Sequence, residues 1–453
     1  MPAPYDPESP EYKKALRHHL KTRNTKVDTS SWSAFRIQEK RFKTRIPRPS
    51  LDDVLDIGAL ATTSSEGTML VLESSMRAVG WSCGAIDAHK TREIALKLNA
   101  RQGRAFLLPR VPGLVLLPGF VSTEEQRSLI KSCLTNQAKQ PNETNLDAHY
   151  TLPSQGLWNM FVDHFENPST DPLIIPTKVS MTETDSSSST LKLGNTKRVL
   201  VDNMSASVSN LSTIISTPKP PPDPSLTLTP LSISKLIYKL RWVNIGRSYH
   251  WETKSYDFSK ELGTFPEDVK EICKRAVRAV NWEDVWGEKA EMVTDGGLSW
   301  GEEEGTWRKW DETYEPDAGI VNFYQEKDTL MGHVDKSELS STTPLVSISL
   351  GNAAIFLIGG LTRDVEPIPI LLRSGDAIIM SGPSCRRAYH GVPRILEGTL
   401  PDHLGPQSLQ HHVDHDWAPF AHYLKTTRVN INVRQVFPTG FEPPVDIQAV
   451  AHG

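Results

Sequence analysis

The sequence predicts a mainly β protein with flanking helices (α+β), built on a double-stranded β-helix of the cupin-like, jelly-roll kind. Three observations lead there. From Ala318 onward nearly every segment has strand character, in short runs at 320–324, 345–350, 354–358, 368–372, 377–380 and 428–436. Turn pairs separate these runs, among them Gly351-Asn352, Gly359-Gly360 and Gly375-Asp376. Helical periodicity lies ahead of them, so helices precede a succession of strands and do not alternate with it.

Composition narrows the class of protein. The formal net charge of -4 gives no global sign of nucleic-acid binding, although a local basic face is compatible with it. Cys83, Cys133, Cys273 and Cys385 are scattered without a CxxC pair, which argues against a disulfide framework or a zinc module and fits a reducing compartment. Asp6, Glu8 and Glu11 stand where a secretory signal needs an apolar core. The longest apolar run, at 353–358, is far too short to cross a bilayer. We therefore expect an intracellular protein away from membranes; nucleus, cytoplasm and mitochondrion are not distinguished.

Taken in order, residues 1–104 are expected to be basic and largely disordered. Twelve basic and five acidic side chains give the first fifty residues a charge of +7. Lys40-Arg41-Phe42-Lys43 fits a nuclear signal, a nucleic-acid-binding arm or simply a solvated tail. Residues 51–104 carry short apolar pieces without sustained periodicity and find no place. Residues 105–166 are assigned to the N-terminal part of the catalytic domain. There 113–117 suggests a buried strand, Gly119-Phe120 a turn, and Ser122 with Glu125 a capping box ahead of Leu129, Ile130 and Cys133. Residues 167–232 are rich in Ser, Thr and Pro and lack a core pattern, so a flexible insertion is expected. The core is assigned to 233–440. Thr264 and Glu267 suggest a second capping box, with Val269, Ile272, Cys273, Ala276, Val277 and Val280 at helical spacing behind it. The Gly/Glu/Trp-rich stretch 296–314 suggests a surface loop, and 441–453 a tail.

The chemistry begins with His333-Val334-Asp335. On a strand, positions i and i+2 share a face about 6.5–7 Å apart, so an imidazole and a carboxylate can converge on one metal. With a second histidine they would complete a facial triad that leaves positions open for co-substrate and O2. An HxD pair alone is weak in a chain with 14 histidines. The context strengthens it. Asn322 and Tyr324 share one face of the preceding strand. The last strand alternates strictly, with Arg428, Asn430, Asn432 and Arg434 on one face. Two arginines on one side offer fork-shaped donors to a small dicarboxylate; an ordinary half-exposed strand is the bland alternative. His390, in Tyr389-His390-Gly391-Val392-Pro393, is the natural third ligand, although a buried structural histidine is the commoner reading of such a residue alone. His411, His412 and His415 lie in a polar stretch and suggest a solvated loop.

Taken together and in order, Asn322-x-Tyr324, His333-x-Asp335, the hairpin from Ser349 to Phe356, Leu372-Arg373-Ser374-Gly375-Asp376, His390 and Arg428-x5-Arg434 resemble the AlkB family of nucleic-acid dioxygenases. The resemblance runs from about Leu240 to Phe437, more weakly back to Pro112, and is strongest toward the branch of the first mammalian homologue and its fungal relatives. Leu240-Arg241-Trp242-Val243, the stretch from His333 to Glu338 and the stretch from Tyr423 to Asn430 carry that finer likeness.

The resemblance implies Fe(II) on His333, Asp335 and His390, and 2-oxoglutarate, used together with O2, on Asn322, Tyr324, Arg428, Asn430 and Arg434. It places Trp242 and Tyr249 in a lid over the target base, where stacking contributes about 1–3 kcal/mol; core packing is the alternative for any one tryptophan. Ser337 stands where the bacterial repair enzyme has a second acid against the base, which departs from that enzyme's pattern. The implied activity is oxidative demethylation of a flipped or single-stranded base, in tRNA (1-methyladenosine-type) or in DNA. A protein substrate such as a histone, or a catalytically silent binding module, are the alternatives. No protein partner is indicated.

Overall fold

Chain segments of two to eight residues pair into two main sheets that share a core and into two separate two-stranded ribbons, Leu173–Ile174 with Leu231–Ser232 and Tyr249–His250 with Ser255–Tyr256. The computed structural model describes residues 9–23, 29–62, 76–82, 84–85, 89–97, 103–178, 204–263, 265–287, 300–406 and 415–442. In chain order the strands are β1 (Leu55–Asp56), β2 (Arg92–Ala95), β3 (Arg104–Leu107), β4 (Leu114–Leu117), β5 (Leu173–Ile174) and β6 (Leu231–Ser232). There follow β7 (Trp242–Gly246), β8 (Tyr249–His250), β9 (Ser255–Tyr256), β10 (Ala318–Gln325), β11 (Leu330–His333) and β12 (Leu345–Gly351). The last five are β13 (Ala354–Ile358), β14 (Ile368–Leu372), β15 (Ala377–Met380), β16 (His390–Ile395) and β17 (Thr427–Arg434).

The larger sheet runs β2-β3-β4-β15-β12-β17-β10-β7 and the smaller β1-β14-β13-β16-β11. This is the expected jelly roll, and the runs at 354–358, 368–372 and 377–380 coincide with β13, β14 and β15. Leu345, Ile378 and Met380 of the larger sheet pack with Phe356, Ile370, Leu372 and Val392 of the smaller one. Val321, Phe323, Val429, Ile431 and Val433 point the other way, into a core shared with the helices Thr123–Ser132, Leu157–Glu166 and Glu267–Ala279. Strict alternation therefore turns the polar set of β17 inward, toward the smaller sheet. The first helix keeps its capping box, with Ser122 and Glu125 bonded reciprocally. In the later helix Pro266 is the N-cap, and Thr264 lies outside the described residues.

Four expectations need correction. Residues 1–104 are not largely disordered throughout. The helix Ala34–Lys43, capped by Ser33, packs Phe35 and Phe42 with Leu51, Val54 and Trp81 against Ile355, Leu357 and Leu371 of the smaller sheet. β1 then extends that sheet beside β14. Second, the stretch around Trp300 to Tyr314 is no surface excursion. Trp300, Trp307, Trp310 and Tyr314 are buried in the main core, because four large aromatic rings carry too much apolar surface to leave in water.

Third, the insertion is only partly free of the core. Residues 179–203, with the serine run 186–189, lie outside the described residues, but β5 pairs with β6 across its ends. Leu211, in the short helix Leu211–Ser216, is buried among Tyr256, Phe258, Leu339, Val436 and Phe437. Fourth, the tail begins in contact, since Phe441 stacks on Phe437 at 5.6 Å; residues 443–453 lie outside the described residues. No helix among the described residues is long and apolar enough to cross a membrane.

Candidate metal centre

β11 and β16 lie side by side and antiparallel, which sets His333 directly opposite His390. Their ring centroids are 4.4 Å apart. Asp335 is not on the strand, as the i, i+2 argument had it: β11 ends at His333, and the loop beyond it turns the carboxylate back. Its Oδ1 lies 3.7 Å from His333 Nε2 and its Oδ2 3.9 Å from His390 Nε2. All three ligand atoms fall within 4.8 Å of one another, close enough for one ion to touch each. Among the described residues this is the one such group. His411 and His412 lie outside the described residues, and His415 opens a single turn, His415–Trp417.

The ring orientations suit a metal. His333 Nδ1 lies 2.9 Å from the Met331 carbonyl and His390 Nδ1 3.0 Å from that of Ala388. A carbonyl can only accept, so each Nδ1 carries the proton and each Nε2 offers its lone pair to the site. Burial, and then His333, push His390 down to about 4, which keeps it neutral and able to ligate. Burial pushes the Asp335 carboxyl up, but Arg434 and the two imidazoles outweigh it and hold the group well below the usual carboxylate range.

The strand that carries His333 is braced from outside the jelly roll. Gly332 N–H donates to the buried Glu39 carboxylate on the helix Ala34–Lys43, and Arg363 Nη2 donates to the Gly332 carbonyl at 2.7 Å. A Cβ at Gly332 would stand 2.5 Å from the Phe35 ring, so only glycine allows this approach.

A cleft of about 1220 Å³ opens on the three ligands and is walled by β10, β17 and the smaller sheet. At its inner end Arg428 is 1% exposed. Its Nη2 donates to Ser349 Oγ at 3.0 Å, while Nε and Nη1 are buried without a partner. Burial pulls this guanidinium down to about 10, so it is still a cation at neutral pH. It lies 5.5 Å over the Tyr324 ring, whose hydroxyl is also buried and unpartnered. A buried cation with unspent donors beside an unspent phenol suits an incoming carboxylate. Asn322 lines the cleft.

Asn430 lines it too, but its amide is engaged by the protein. Nδ2 donates to Ser347 Oγ and to the Ile348 carbonyl, and Oδ1 accepts from Asn432 at 3.1 Å. Arg434 lies at the metal end, donating Nη1 to Glu338 Oε1 at 3.1 Å.

Of the three substrate-side candidates, the lid residues Trp242 and Tyr249 and the residue Ser337, the structure brings the last two to the cleft. Tyr249 lines it, with its hydroxyl 3.2 Å from Ser337 Oγ; Ser337 in turn donates to the Lys254 carbonyl at 2.9 Å. Trp242 is half-buried on β7 and does not line the cleft; it supports the ring of Trp251 at 4.7 Å. Trp251 is 38% exposed, lines the cleft and was missed in the sequence. β8 ends at His250 and Trp251 opens the turn that follows, so no alternation marked it in the sequence. Asn432 and Glu338 were missed as well, and the alternation of β17 pointed to the first of them.

The chain matches the 2OG-Fe(II) oxygenase superfamily over residues 207–434. It is 28% identical over 413 residues to "tRNA demethylase abh1" of Schizosaccharomyces pombe, a match spanning 90% of this chain and 97% of that one. Over 357 residues it is 29% identical to "Nucleic acid dioxygenase ALKBH1" of Mus musculus, covering 76% of this chain and 69% of the relative. Over 233 residues it is 30% identical to "N6-methyladenosine RNA demethylase ALKBH" of Cryphonectria parasitica, covering 48% of this chain and 84% of the relative. The match over half the chain, with a donor set that suits Fe(II) and 2-oxoglutarate, makes this protein a member of the 2OG-Fe(II) oxygenase superfamily and, within it, an AlkB-family dioxygenase.

Proposed function

We propose that this enzyme oxidatively demethylates nucleobases, with Fe(II) held by His333, Asp335 and His390 and with tRNA as its first substrate to test. The observation that carries the reading is the mouth of the cleft. Tyr249 and Trp251 form an aromatic wall backed by Trp242, and Lys254, Lys336 and Arg363 line the same opening. An aromatic wall suits the face of an extruded base, and cations suit the phosphates that flank it. The names of the relatives, which refer to tRNA, to nucleic acid and to N6-methyladenosine in RNA, support the same class of substrate.

With both cofactors bound, the metal supplies the chemistry: O2 and 2-oxoglutarate become CO2, succinate and a hydroxylated methyl group, which leaves the base nitrogen as formaldehyde. The chain's own residues position the partners. Arg428, Tyr324 and Asn322 would take the far carboxylate of 2-oxoglutarate. Arg434 and Asn432, the latter held by Asn430, would face its metal-binding end. Tyr249 and Trp251 would clamp the base, while Ser337 fixes Tyr249 and the Lys254 turn in place of contacting the base as an acid would.

The test is purified protein with Fe(II), 2-oxoglutarate and tRNA containing 1-methyladenosine, followed by mass spectrometry of nucleosides and assay of formaldehyde. Stoichiometric loss of the methyl group, with Trp251→Ala raising KM by about 5- to 150-fold, is the expected result. An iron-loaded enzyme that decarboxylates 2-oxoglutarate yet leaves every methylated RNA and DNA unchanged would refute the reading.

A further inference from the structure

Three consecutive residues just past Asp335 each grip a different part of the molecule. The Lys336 carbonyl accepts from Ala206 N–H at 2.7 Å, on the arm that returns from the insertion. Ser337 Oγ donates to the Lys254 carbonyl and accepts from the Tyr249 hydroxyl, both on the β8–β9 hairpin. Glu338 is 1% exposed. Its Oε1 accepts from the Tyr256 hydroxyl at 3.2 Å and from Arg434 Nη1 at 3.1 Å, and its Oε2 lies 3.4 Å from Arg386 Nη2.

The Glu338 carboxylate thus joins two things of different kind. Arg434 belongs to β17 and faces the metal end of the cleft. Tyr256 is 2% exposed and belongs to the hairpin that carries Tyr249 and Trp251 to the cleft mouth. Arg434 reaches Glu338 through one nitrogen, while its buried Nε is unpartnered. The guanidinium is therefore held from one side only, and the direction it presents to the cleft depends on where Glu338 sits. Glu338 in turn sits between Arg386, beside its Oε2, and the Tyr256 hydroxyl, which ties its Oε1 directly to the hairpin.

We propose that Glu338 is a positioning residue that couples the β8–β9 hairpin to the co-substrate end of the cleft. A dicarboxylate that fixes Arg434 fixes Glu338, and Glu338 draws Tyr256 and the aromatic wall into a more closed, better-ordered state. Linkage makes the effect reciprocal, so ordering the hairpin over a substrate tightens 2-oxoglutarate by the same factor. This rests on the placement of 2-oxoglutarate beside Arg434 given above, and not on the identity of the methylated substrate.

Amide hydrogen exchange on the full chain, with Mn(II) in place of iron, tests it without turnover. Saturating 2-oxoglutarate should slow exchange across residues 249–256 by about 10-fold, within the range usual for coupled sites. In Tyr256→Phe, which removes one oxygen, and in Glu338→Gln, which keeps an acceptor for Tyr256 but loses the ion pair with Arg434, that gain should shrink below about 2-fold. Exchange in β10 and β17 reports whether each variant is folded, and either folded variant decides the matter. No gain in the native chain, or a full gain in a folded variant, would overturn the proposal. Because no nucleic acid is present, this outcome is independent of whether the demethylase reading stands.

Discussion

Arg428 shows how much a single buried side chain commits a site to one kind of ligand. It is 1% exposed, keeps two donors without partners, and has only a serine hydroxyl and a tyrosine ring for company. Removing one partner of a buried charge pair costs about 2–5 kcal/mol, so Arg428→Gln should weaken 2-oxoglutarate by about 30-fold or more. Titration calorimetry on the Mn(II)-loaded protein measures this directly. The metal ligands make a second expectation. A bound ion at 100 times its Kd adds about 2.7 kcal/mol of stability, so chelation should lower Tm by several degrees. His390→Ala should show little response to added metal, and a chelation shift as large as the native one would place the ion elsewhere. These residues were legible because Arg428 falls into alternation with Asn430, Asn432 and Arg434, and His333 and Asp335 into an HxD pair. Trp251 and Glu338 escaped because their roles depend on a hairpin turn at Lys254 that no local pattern announces.

At the level of elements, the helix Ala34–Lys43 is the clearest case of function assembled by packing. Its sequence offers only Phe35 and Phe42 as large apolar anchors on one face and a basic outer surface, so alone it resembles a solvated arm. Against the smaller sheet the same residues become core, and Glu39 reaches the backbone of Gly332 beside the first metal ligand. Phe35→Ala should cost about 3–5 kcal/mol, the usual loss for a buried phenylalanine. Because Phe35 packs over Gly332, the loss should fall on metal affinity as well as on Tm. Comparing Mn(II) affinity in this variant with that in Phe161→Ala, an equally buried ring in a distant helix, separates bracing of the site from general destabilisation. If both variants lose metal affinity equally, the helix is a structural cover and no brace. The same physics explains the misreading of the tryptophan-rich stretch before β10. Its glycines and glutamates resemble a loop, but Trp300 meets Trp286 and Trp310, and Trp307 joins the same core, only in three dimensions.

Over the whole molecule, strand content and sheet class could be read from sequence because alternation and turn residues act locally, whereas the pairing of β11 with β16 and of β1 with β14 joins segments far apart in the chain. Charge behaves in the same way. A net of -4 says little about nucleic acid, since affinity for a polyanion follows the cations beside the binding cleft and not the sum. Lys254, Lys336 and Arg363 line the opening, and Lys43 approaches it through Thr329. Three phosphate contacts on a single strand correspond to a slope of about -2 in log K against log salt, at about -0.7 per contact. Binding of a methylated single-stranded RNA, followed by fluorescence anisotropy across a salt series, should give that slope, and Lys336→Ala should reduce its magnitude by about 0.7. Base stacking on Trp251 is insensitive to salt to first order, so Trp251→Ala should displace the line downward and leave its slope alone. A slope near zero in the native protein would mean that this rim does not meet a phosphate backbone, and would turn attention to an uncharged or peptide substrate for the same iron site.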